Sequence, residues 1–345
     1  MGLRILAIDV GVGTQDILLY DDKNRPENNI KLVLPSPTQI LAKKVMTSKN
    51  DILFTGETMG GGPISIAITD HVKRGFKVVM TERSARTIRD GLEEVRKLGV
   101  EIIEEEEVPD YAGYEQLETK DVDFGLLKAI FGSIGEPFEF DFVGIAVQDH
   151  GYSEGKSDRT FRFERIKEIL DRGGGLNDFA HRDPPSYLTR MCAVMRIAKE
   201  HFEDVIVLDT KIAAIAGAIH GVEERPLISI DVGNGHTLGA LVGEENLGMF
   251  EHHTSCLTQK KLEEMIIRFA NGDLTNEEVF NDGGHGCYIG EGVGIKNVSK
   301  IVVTGPNRGL MEGSKLGLEY PNPMGDFMMT GAMGIVDIVK ENFCL

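Results

Sequence analysis

MGLRILAIDVGVGTQDILLYD at residues 1–21 and LISIDVGNGHTLGALV at residues 227–242 are two copies of one phrase. Each is an apolar run, then Asp-Val-Gly-x-Gly, then more apolar residues. Residues 3–8 read as a buried strand, 11–14 as a tight turn and 17–20 as a returning strand, with 21–24 as the next turn. Asp9 and Asp231 stand at the strand ends. Glycine has no Cβ, so a Gly-x-Gly turn lets backbone N–H groups approach a phosphate closely. A carboxylate at the strand end can hold Mg²⁺, directly or through water. Two such hairpins facing each other would clamp the phosphates of a nucleotide between two related lobes.

The rest of the chain mixes strands and helices. Residues 51–55, 77–80, 141–147, 205–208 and 300–303 read as strands. A helix is expected from Pro63, a residue suited to a first helical position, to about residue 74. A second is expected over 84–98 with Gly99 as its stop, and others over 159–171, 186–202, 211–219, 258–269 and 330–340. The fold class is therefore α/β. The small-residue stretch KIAAIAGAI at 211–219 suits close packing against a neighbour. The acidic run at 104–107 reads as a solvated loop.

Composition narrows the function. The chain has 345 residues, enough for two lobes, and a net charge of −18. Such acidity repels phosphate backbones and anionic lipid, which argues against nucleic acid and membrane as partners. No run approaches the roughly 20 apolar residues of a membrane span, and nothing reads as a signal peptide. A cytoplasmic location is expected. The four cysteines, Cys192, Cys256, Cys287 and Cys344, show no CxxC spacing.

Three further blocks complete a pattern: DTKIAAIAG at 209–217, IVVTGPNR at 301–308 and MTGA at 329–332. Their order with the two hairpins resembles the actin/Hsp70/sugar-kinase superfamily. There a first phosphate hairpin, a connecting helix, a second phosphate hairpin, an adenosine loop and a second connecting helix follow one another. The resemblance implies a two-lobed actin-like ATPase fold, each lobe a ribonuclease H-like mixed sheet flanked by helices, with the cleft between them. Lobe I would span residues 1–200 and lobe II residues 201–345. The chain looks closer still to an archaeal family that carries the label of a pyruvate formate-lyase activating enzyme. Radical chemistry of that type needs three closely spaced cysteines for an iron–sulfur cluster, and the sequence has no such trio.

By this resemblance, ATP and Mg²⁺ are the expected cofactors. Asp9 and Asp231 would sit by the metal and the phosphates. Gly11, Gly13 and Thr14 would hold one side of the phosphate chain, Gly233, Gly235 and Thr237 the other, and Gly305 would lie under the nucleoside. Asp209 would serve as general base or water-orienting residue, although Asp is also a favoured helix N-cap. Gln148, Asp149 and His150 resemble a sugar-kinase segment that meets the substrate. A polar loop after a buried strand is the plainer reading. The pattern has departures. Gln15 and Asp16 stand where actin carries a lysine, Asn234 and His236 alter the second turn, and Pro306 removes a backbone donor from the adenosine loop.

Two clusters stay open. Gly60-Gly61-Gly62-Pro63 reads as an anion site at a helix N-terminus or as a flexible turn. His252, His253, Cys256, His285 and Cys287 carry ligand atoms, but their spacing fits no structural zinc pattern. Three functions therefore remain: a phosphotransferase acting on a small molecule, an ATPase of activator or chaperone type acting on a protein partner, and a non-catalytic relative. Members of the superfamily often pair, so a homodimer is within expectation.

Overall fold

A computed structural model describes residues 2–243 and 247–345. Each copy of the repeated phrase begins a six-stranded sheet. The first sheet runs, edge to edge, Ile30–Pro35, Thr14–Asp21, Arg4–Val10, Phe142–Val147, Val205–Asp209 and Ala180–His181. The second runs Gly286–Tyr288, Leu247–His253, His236–Val242, Leu227–Val232, Lys300–Thr304 and Leu318–Glu319. In both, three antiparallel strands are followed by two parallel ones, the strand order of a ribonuclease H-like sheet, and a short antiparallel strand, Ala180–His181 or Gly286–Tyr288, is added at one edge. The molecule thus has the two-lobed actin-like ATPase fold.

Both strands that open a lobe are covered on both faces, which is why they read as continuous apolar runs. Along Arg4–Val10 the side chains alternate. Leu6, Ile8 and Val10 enter a core on the outer face, while Ile5 and Ala7 enter the core between the lobes. That inner core is filled by the helices Thr210–Ala218 and Thr330–Asn342, one following each sheet. The two helices cross at glycines. A Cβ on Gly217 would stand 1.7 Å from the carbonyl oxygen of Thr330, and one on Gly334 would stand 1.9 Å from that of Ala213. Only glycine lets the two backbones approach so closely, which is the physical use of the small-residue stretch.

Sheet membership changes between Asp209 and Leu227, not at residue 200. Val205–Asp209 pairs in parallel with Phe142–Val147 and so belongs to the first sheet. Between the third and fourth strands of that sheet the chain leaves to build a separate module. Its parallel four-stranded sheet (Glu101–Ile103, Val78–Thr81, Ile52–Gly56, Glu115–Thr119) has its own core with the helices Pro37–Thr47 and Pro63–Lys73. The helix expected over 84–98 is broken into Glu82–Ala85 and Leu92–Lys97. Thr87 and Ile88, β-branched, and Gly91 weaken a helix there. Tertiary contacts also hold the break open, because the Thr87 hydroxyl accepts the Met59 N–H at 3.1 Å. Among the described residues no helix is long and apolar enough to cross a membrane.

Candidate functional site

The repeated phrase folds the same way twice. In the first hairpin Asp9 pairs with Asp16, and Gly11 N–H donates to the Thr14 carbonyl at 2.9 Å. In the second, Asp231 pairs with Leu238, and Gly233 N–H donates to the His236 carbonyl at 3.1 Å. The two tips meet, since a Cβ on Gly13 would stand 3.2 Å from the Asn234 side-chain nitrogen. A cleft of about 610 Å³ opens between the lobes, a size usual for small-molecule sites. Asp9, Gly11, Gly13, Thr14, Gln148, Asp149, His150, Asp231, Gly233, Gly235 and Gly305 all line it.

The N-terminus of the helix Thr210–Ala218 ties the hairpins together. The Thr210 hydroxyl donates to Asp9 Oδ1 at 2.5 Å. The next residue, Lys211, reaches the other hairpin: its Nζ lies 2.6 Å from Asp231 Oδ2 and 2.9 Å from the His236 carbonyl. Two adjacent side chains thus hold one aspartate each. Lys211 is a cleft residue that the sequence reading passed over. Its one signal was being the sole charge in an otherwise small and apolar helix.

Negative charge exceeds positive on this floor. Burial pushes the Asp9 carboxyl up to about 7, with Asp16 and Asp231 adding to the rise and the Thr210 hydrogen bond opposing it. Burial pushes Asp16 up to about 7 as well, against the hydrogen bond from Thr14 and with help from Asp326. Asp16 Oδ1 is buried without a hydrogen-bond partner. The loop after Lys300–Thr304 closes over the second turn. Gly305, at φ +95°, presses against Asp231, and Asn307 donates from its backbone to Val232 and from its side chain to Gly233, both at 3.0 Å. Arg308 stacks on Phe327 at 4.2 Å, giving the cleft a flat, cationic and aromatic flank.

Other expectations change. Asp209 does not line the cleft. It caps the helix Thr210–Ala218 through Oδ1, which accepts the Lys211 N–H at 2.8 Å, and its Oδ2 accepts from Arg162 Nη1 at 2.8 Å. Both oxygens are engaged and the residue is buried, so in this structure it serves as a helix cap and an ion-pair partner. Thr237 is fully buried beneath the second turn. Its hydroxyl bonds that of Thr254, 3.0 Å away, which in turn donates to the Gly233 carbonyl at 2.8 Å. Thr237 therefore supports the turn from below. Asp149 accepts backbone N–H groups from Gly151, Arg190 and Met191 at 2.9–3.0 Å and so anchors the helix Thr189–Lys199.

The inserted module supplies the opposite wall through Gly60–Gly62 and residues 86–90. Arg190 pins it there. Its guanidinium bonds Asp121 at 2.7 and 2.9 Å, and Asp121 accepts the Gly60 N–H at 3.1 Å. The histidine–cysteine set splits up. His252 pairs with Asp282 at 3.0 Å and Cys287 lies in the second lobe's core. His285 instead meets His150 and His236. Burial pushes both His150 and His236 down to about 3.

Among solved structures, the chain is similar to ethanolamine utilization protein EutJ from Carboxydothermus hydrogenoformans, at 10% identity and a TM-score of 0.30, over 97% of this chain and 89% of that one. It is similar to a glycerol dehydratase reactivase at 11% identity and 0.32, over 98% and 100%. It is similar also to an acetone carboxylase in a nucleotide-free structure, at 10% identity and 0.23, over 71% and 45%. At such scores these likenesses add nothing to the residue-level picture. No curated protein matches the chain. Residues 59–310, which take in the later part of the module, the second hairpin and the loop over it, match the family described as "Putative pyruvate format-lyase activating enzyme (DUF1786)", and the chain belongs to that family.

Proposed function

We propose that the cleft binds a magnesium–nucleoside triphosphate between the two hairpins, and that the protein is a nucleotide-hydrolysing, lobe-closing ATPase. One observation carries this reading: two identically folded Gly-x-Gly turns line one cleft, each with an aspartate behind it, and both aspartates are held by one helix N-terminus. The donor set fits the cation. Asp9, Asp16 and Asp231 supply hard oxygen ligands, one oxygen of Asp16 lacks a partner, and among the described residues Lys211 is the one cation that forms an ion pair with any of the three carboxylates. When bound, Mg²⁺ would neutralise phosphate charge. The chain's own residues position the rest: the glycine turns admit the phosphates, and Arg308 with Phe327 offers a stacking surface for the base.

Hydrolysis is favoured over transfer because the expected base, Asp209, is engaged on both oxygens. Gln148, on the cleft wall with its Nε2 3.1 Å from His236 Nδ1, is the polar side chain placed to orient a water. Transfer to a small-molecule acceptor is supported by a separate feature, the wall that Gly60–Gly62 and residues 86–90 contribute. The family's description does not alter this reading: the four cysteines stand apart in sequence, and among the described residues no three converge. The test is calorimetry of ATP with and without Mg²⁺ on the wild type, Asp9→Asn and Asp231→Asn. Magnesium-dependent binding that both variants weaken at least tenfold supports the clamp. Wild-type protein that binds no nucleotide overturns it.

A further inference from the structure

Three imidazoles from distant parts of the chain converge beside the second turn. His150 follows the strand Phe142–Val147 of the first lobe. His236 opens the strand His236–Val242, and His285 precedes the edge strand Gly286–Tyr288, both in the second lobe. One ring nitrogen of each lies within 4.8 Å of the other two. His150 Nε2 and His285 Nδ1 are buried without hydrogen-bond partners. Orphaned buried nitrogens are rare and call for a reason. His253 completes the cluster, its ring 4.6 Å from that of His236 and 5.1 Å from that of His285.

We propose that His150, His236 and His285 form a binding site for one divalent transition-metal ion, separate from the carboxylate floor and bridging the two lobes. The donors decide the class of ion: imidazole nitrogens suit zinc, iron, cobalt or nickel, whereas magnesium takes oxygen. Nitrogens at about 2.0–2.1 Å from a tetrahedral ion sit about 3.3 Å apart. The rings therefore close by small rotations, and neither orphaned nitrogen gives up a hydrogen bond in doing so. Glu251 lies beside the site. Its Oε2 lies 3.3 Å from His285 Nδ1, out of line for a hydrogen bond, and its Oε1 is another buried atom without a partner. Arg162 holds Glu251 at 2.7 Å and Asp209 at 2.8 Å, so these three groups together carry a charge of −1. His150 and His236 line the cleft while His285 is buried behind them. The fourth coordination position thus faces the cleft, the arrangement of a metal that takes water or a ligand as its last partner.

The inference does not rest on nucleotide binding, and its test omits nucleotide. Chelator-treated full-length protein is titrated with Zn²⁺ alone in a calorimeter and with Co²⁺ alone in a spectrophotometer. One Zn²⁺ per chain and the visible ligand-field bands of tetrahedral Co²⁺ are expected, with Mg²⁺ failing to compete. His236→Ala and His285→Ala should each weaken Zn²⁺ binding by more than about 100-fold. Glu251→Gln, which removes the negative charge beside His285 Nδ1, should weaken it by about 10-fold. His220→Gln, on an exposed histidine outside the cluster, should leave it unchanged. The Co²⁺ spectrum of the wild type decides the matter even if a variant fails to fold. No stoichiometric uptake of either ion by the wild type, or uptake unaltered in the His236→Ala/His285→Ala double variant, overturns the proposal.

Discussion

Replacing Gly217 with alanine should wedge the two connecting helices apart. The new Cβ would lie 1.7 Å from the Thr330 carbonyl oxygen, where ordinary contact begins at 3.4 Å, so the backbones must part by about 1.7 Å. Overpacking a close-packed site costs typically 1–3 kcal/mol, and this clash is with backbone, which cannot swing aside, so about 3 kcal/mol applies. Alanine recovers about 1 kcal/mol of helix propensity. The net loss is about 2 kcal/mol. With an unfolding entropy of about 2.1 cal/mol/K per residue, 345 residues give about 0.7 kcal/mol/K, so the melting temperature falls by about 3 °C. Gly132→Ala is the matched control. Gly132 lies in the helix Phe124–Ser133 with nothing within 4 Å of its would-be Cβ, and the same substitution there should raise the melting temperature by about 1 °C. Differential scanning calorimetry reads both. If Gly217→Ala melts at or above the wild-type temperature, the two helices do not cross as closely as described.

Three other outcomes can be checked. Lys211→Met leaves the Asp231 charge buried and unpaired and should cost about 3–5 kcal/mol by urea denaturation, with Lys211→Met/Asp231→Asn recovering much of it; a single variant as stable as the wild type would refute the pairing. Asp16, raised from 3.8 to about 7, favours the protonated native state, so its penalty is absent below about pH 4, grows as pH rises and is complete above pH 7. Asp16→Asn should therefore raise the metal-free melting temperature at pH 8 and change it little at pH 4. Asp209→Asn should keep any ATPase rate within about tenfold of the wild type, whereas a fall of 10²–10⁴ would restore Asp209 as a base.

The hairpins were legible because the instruction is local: strand, Asp-Val-Gly-x-Gly and strand lie within about twenty residues, and periodicity and turn chemistry act at that range. The same holds for the small-residue helix. The ion pair of Asp209 was not legible because its partner, Arg162, lies 47 residues away, and a sequence does not show which oxygens of a carboxylate are already engaged. The break at residues 86–91 came from tertiary contacts that override helical pattern. His150, His236 and His285 share no spacing that marks them as one group. Only the packing of the two lobes against each other brings them together.

The inserted module has a core of its own, and the chain enters it after the edge strand Ile30–Pro35 and leaves it before Phe142–Val147 of the first sheet. It supplies one wall of the cleft, while the hairpins, the connecting helices and the loop at 305–308 supply the rest. Under the proposed function, selectivity and nucleotide handling are thus written in different stretches of the gene. Insertions, deletions and drift in the module can change what the wall admits while the two hairpins stay under their own constraints, so this fold can acquire new ligands without altering the duplicated turns.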